Sequence, residues 1–70
     1  MMDRPKFLDQ PEPNIVLRGG PLDGGQMYVE HWVPIVQDVG DERCVYRPTG
    51  ERDTEYPRLA VYTIDHIEPA

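Results

Sequence analysis

An all-β fold is predicted: a small antiparallel sheet or barrel of about four strands, preceded by an extended N-terminal arm. Three observations predict it. Apolar and polar residues alternate over "QMYVEHWV" and "RLAVYTIDHI", the period-two pattern of half-buried strands. No segment carries apolar residues at helical spacing over the roughly ten positions that a stable helix needs. Eight prolines and six glycines divide the 70 residues into pieces too short for long helices.

Taken in order, residues 1–14 hold three prolines and little hydrophobic periodicity, so they are expected to form an extended arm outside a β domain of residues 15–70. Phe7 and Leu8 stand out in that arm. The pair either rides in a disordered tail or anchors the arm in a pocket of a partner or of this domain. "NIVLR" is a β-branched run stopped by Gly19 and Gly20, which fits a first strand. A second is predicted over "QMYVEHWV", with Met27, Val29 and His31 on one face and Tyr28, Glu30 and Trp32 on the other, ended by Pro34. "QDVGDE" reads as an acidic turn, and "RCVYR" as a third strand closed by "PTG". The longest strand is expected within "RLAVYTIDHI", where Leu59, Val61 and Thr63 oppose Ala60, Tyr62 and Ile64. Both of its faces are partly apolar, which suits a strand covered on two sides.

A chain of this length buries only about 60% of the surface that its unfolded form exposes, so a partner is expected to supplement a thin core. Cys44 is the single cysteine and cannot form an internal disulfide. The N-terminal "MMDRPKFLDQPEPN" has no apolar core of a signal peptide, and no apolar run approaches the ~20 residues of a membrane span. Neither secretion by a cleaved signal nor a membrane partner is therefore expected. Thirteen acidic residues against seven basic ones give a net charge of -6, and the basic residues are scattered, so direct nucleic-acid binding is not expected either.

The most conspicuous motif is "RGGPLDGGQM". Gly20 and Gly25 have the spacing of a phosphate loop, but Gln26 and Met27 stand where Lys and Ser or Thr belong, and a strand rather than a helix follows. A hairpin connection explains the stretch better: Pro21 presets a turn, and Asp23-Gly24 offers an Asx-type hydrogen bond and a positive-φ site. The chain has no serine, which removes serine nucleophile schemes. Cys44 lies in a strand pattern, where a thiol behaves as a small hydrophobe. His31 and His66 lack metal-ligand spacing, and adjacent Asp65 and His66 are expected on opposite faces of a strand. No catalytic residue, cofactor or metal is predicted. Tyr28, Trp32 and Tyr62, with Phe7 and Leu8, are the candidate protein-contact residues, with a core role for Trp32 ranked ahead of an interface role.

"VLRGGPLDGGQMYV" followed by "VYRPTGERDTEYPRLAVY" resembles short GGPxDG-type β proteins of actinobacteria and their tailed phages. The matching positions are Leu17 to Gly24 and Tyr46 to Tyr62, about half the chain. The resemblance implies a phage or bacterial β protein in which a virion role is one option. The leading expectation is a non-enzymatic structural or interaction protein, a minor capsid or capsid-accessory component of an actinobacterial phage. Its partners would be capsid subunits or further copies of itself. The alternative is a phage-encoded intracellular protein that binds and modulates a host protein. The expected locations are accordingly the virion or the bacterial host cytoplasm. A third option, a small-molecule or nucleotide binder using the glycine turn, ranks last.

Overall fold

Ile15–Arg18, the β-branched run before the glycine pair, forms β1, and it pairs antiparallel with the two-residue strand β2, Gln26–Met27. The structure, a computed structural model, describes residues 11–70; Phe7 and Leu8 lie outside the described residues. Three further strands follow, β3 (Ile35–Val39), β4 (Glu42–Arg52) and β5 (Ala60–Pro69), giving one open sheet in the order β2-β1-β5-β4-β3. The all-β class is as expected, and no helix occurs among the described residues.

Several details differ from expectation. There are five strands, the sheet is not a barrel, and β1 runs parallel to β5, with Ile15 opposite Ala60 and Leu17 opposite Tyr62. The second strand ends at Met27 because its neighbour β1 offers nothing further to pair with. Beyond that point the Asn14 side chain substitutes for a strand: its Nδ2 donates to the Val29 carbonyl and its Oδ1 accepts from the Val29 amide, each at 2.9 Å. Asn14 is thus part of the sheet side of the boundary set at residue 14. The unforeseen strand β3 begins directly after Pro34 and takes in the first three of the six residues of the presumed acidic turn. The true turn is Gly40-Asp41, where Gly40 has φ 59° and Asp41 is not in the positive-φ region, the pattern of a II′ hairpin. Finally, "PTG" does not close β4, which runs on to Arg52 and, at 11 residues against 10 for β5, is the longest strand in place of the expected last one. Gly50 at φ 81° loosens the register between Pro48 and Arg52, and the Thr49 hydroxyl donates to the Val61 carbonyl at 2.9 Å. Pro48 is tolerated because β3 reaches only as far as Tyr46, so β4 is an edge there.

One face of the sheet carries the core, Ile15, Leu17, Cys44, Tyr46 and Tyr62, with Leu22, Met27, Val29, Ile35 and Ile64 packed against it. The glycine-rich hairpin folds back over this face. The Tyr46 hydroxyl donates to the Gly19 carbonyl at 2.7 Å and accepts from the Leu22 amide at 3.1 Å. On the opposite face Val16 is also fully buried, and Arg18 reaches across to the β4–β5 connection. There its guanidinium donates two bonds of 2.8 Å to Asp53, and Asp53 in turn accepts from the Glu55 and Tyr56 amides. The Arg18 bonds hold the Asp53 carboxyl well below the usual carboxylate range, against the opposing effect of burial. This pair ties the β4–β5 connection to β1, the strand beside which β5 begins.

Candidate protein-binding groove

The loop of residues 28–34 joins β2 to β3 and is tied down at both ends by side chains from elsewhere in the sheet. Asn14 holds it at Val29, as described above. At the other end the buried Tyr62 hydroxyl donates to the Val33 carbonyl at 2.9 Å, with the His31 carbonyl at 3.4 Å. Burial pushes the Tyr62 pKa up, which keeps this hydroxyl protonated and able to donate. Between the two ties sits Trp32, 58% exposed, its ring centroid 6.5 Å from that of Tyr62 with the planes tilted by 46°.

A groove of about 460 Å³ opens beside Trp32. Its floor is the start of β5 at Ala60 and Val61, and its far wall is the irregular end of β4 from Pro48 to Arg52. Arg58 completes the rim, and Arg52 is steadied by a 3.1 Å bond from its Nη1 to the Arg58 carbonyl. Among the described residues the Arg58 guanidinium makes no ion pair. An apolar indole, a short apolar floor and two guanidinium groups with one carboxylate, Glu51, therefore share one concavity on a chain of net charge -6. Such a site can take an apolar side chain flanked by an acidic group.

Of the candidate contact residues, Trp32 lies on this groove and Tyr28 is 43% exposed on the same loop. The core role ranked first for Trp32 is corrected: its loop runs from one edge strand, β2, to the other, β3, and the side chain stays 58% exposed. Tyr62 is corrected in the opposite sense. It is fully buried, and it acts on the site only by holding the loop. The groove arginines, Arg52 and Arg58, were not legible as a pair, since five residues separate them in sequence and the β4–β5 pairing at Arg52 and Ala60, with the Arg52-to-Arg58 bond, brings them together.

The other candidates resolve locally. The amides of the glycine hairpin are taken up by protein groups: Gly24 donates to Leu17, Gly25 to Leu22, Asp23 to Gly20, Gly19 to the Asp23 carboxylate at 2.7 Å, and Leu22 to the Tyr46 hydroxyl. A carboxylate already occupies the place an anion would need. Cys44 is fully buried in the core. Asp65 and His66 do meet, contrary to expectation, with Asp65 Oδ2 and His66 Nδ1 at 2.5 Å. The cause is a β-bulge: Tyr46 faces Ile64 and Val45 faces His66, so Asp65 is an extra residue in β5 and side-chain alternation breaks there. Comparison of the chain with protein-family models, with curated proteins and with solved structures gives no match.

Proposed function

We propose that this chain is a non-enzymatic protein-binding component that docks through the Trp32 groove, and that it serves as a capsid-accessory protein of an actinobacterial phage. The observation that carries the binding reading is the half-exposed Trp32 on a loop fixed at Val29 and Val33. Exposing a large aromatic costs hydrophobic free energy of about 25 cal/mol per Å², and fixing it removes much of the ordering entropy that binding otherwise costs. Contact anchors have this combination of properties. The groove arginines select a partner segment with a carboxylate beside an apolar side chain. The capsid setting rests on the resemblance of the glycine hairpin and the Tyr46 to Tyr62 stretch.

The test is quantitative mass spectrometry of purified particles from cells that supply either the wild-type chain or Trp32→Ala. Incorporation is expected to fall at least tenfold in the variant, the loss of roughly 1.4 kcal/mol or more that a contact tryptophan gives. Deletion of residues 1–12 is expected to reduce it as well, if Phe7 and Leu8 serve as an anchor. Undiminished incorporation of Trp32→Ala contradicts the groove as the contact site. A wild-type chain absent from particles and held by one host protein instead favours the intracellular alternative.

A further inference from the structure

The two edges of the sheet are treated differently. Strand β2 ends one side after two residues, too short to template another chain. At the other side β3 pairs with β4 through five consecutive residues, Ile35 to Val39, with no irregularity, and among the described residues nothing pairs with its outer edge. Its sequence, "IVQDV", holds no lysine, proline, glycine or bulge, and its one charge, Asp38, is paired with Arg43 of β4 at 3.3 Å. Val36 is 52% exposed, and Ile35 and Val39 are only partly covered on the core face.

We propose that β3 pairs antiparallel with β3 of a second copy of this chain about a two-fold axis through Gln37, joining two five-stranded sheets into one of ten strands. The register follows from the side chains. An axis at Gln37 uses all five residues and sets Ile35 against Val39 of the second copy twice on the core face, extending the apolar layer of each sheet. It sets the half-buried Gln37 amide against its own symmetry mate, which offers both a donor and an acceptor. Asp38 then lies opposite Val36 of the second copy, while its charge stays paired with Arg43 at 3.3 Å. An axis at Asp38 instead confronts two like carboxylates, which is destabilising, and an axis at Val36 leaves Asp38 and Val39 outside the pairing. The interface is distinct from the Trp32 groove, and the two can fail separately.

Sedimentation equilibrium of the full chain over a range of concentrations tests this. The wild-type chain is expected to be a dimer. Val36→Asp brings a carboxylate opposite Asp38 of the second copy at two symmetric places, and Val36→Lys brings an ammonium there. The dissociation constant is expected to rise about 2- to 30-fold in the first variant and to fall by a similar factor in the second. Exposed Val36 tolerates both changes, so circular dichroism is expected to stay that of the wild type. Trp32→Ala is expected to leave the dimer unchanged. A monomer at every concentration, or a weakening by both Val36 variants alike, overturns the proposal.

Discussion

Gly19 and Gly24 have nearly the same φ, 86° and 88°, in very different surroundings. A Cβ on Gly24 meets nothing within 4 Å, whereas a Cβ on Gly19 falls 2.7 Å from Ile64 Cγ2. Gly24→Ala is therefore expected to cost about 1–2 kcal/mol for the left-handed backbone alone. Gly19→Ala adds an overlap with a core side chain, worth about 1–3 kcal/mol more. Urea unfolding of the two variants measures the difference, and equal losses would show that the hairpin does not rest on Ile64. The conformational demand of these glycines was readable from the Gly-Gly-Pro-x-Asp-Gly string, because turn chemistry is local. The seat on Ile64 and the Tyr46 hydroxyl was not, since it joins residues 24 or more positions apart.

At the bulge in β5, Asp65 and Glu68 both lie within hydrogen-bond reach of His66. His66 donates from Nδ1 to Asp65 and from Nε2 to Glu68, at 2.5 and 2.7 Å, when both ring nitrogens are protonated. The Asp65 bond chiefly, and the Glu68 bond next, raise its pKa above 6.5. A group with a raised folded-state pKa adds stability that is complete below the unfolded value and is lost as pH rises through the folded one. The melting temperature is thus expected to decline as pH is raised from about 6.5 through the His66 transition, with Glu68→Gln moving the transition down. Proton NMR of the His66 ring alongside thermal melts checks it; a transition at or below the ordinary histidine value contradicts the clamp. All these groups are part-exposed, so added salt is expected to shrink the effect. Strict alternation along "TIDHI" hid this cluster, because a single extra residue reverses which side chains are neighbours. Strand β3 was hidden for a related reason: the acidic residues around Gly40 look like a turn, yet Asp38 is neutralised across the hairpin by Arg43.

For the molecule as a whole, the all-β class, the first strand, the glycine hairpin and the long last strand were legible from period and punctuation. The parallel neighbourhood of β1 and β5 was not, because it is set by the Arg18–Asp53 tie and by which faces cover Val16 and Tyr62, all of them tertiary facts. The groove is tertiary in the same way. It exists only because Asn14, at the head of β1, and Tyr62, in β5, both bind a loop that by pattern reads as strand. Trp32 is the single tryptophan, so its fluorescence reports on this loop alone. Time-resolved fluorescence anisotropy of the wild-type chain and of Tyr62→Phe is the most direct measurement. If the loop is held as described, the wild-type indole turns only with the whole molecule, and Tyr62→Phe, at a stability cost of about 1 kcal/mol, adds a fast local component. A fast component already present in the wild type, or none gained on loss of the Tyr62 hydroxyl, would contradict a pre-positioned Trp32 contact.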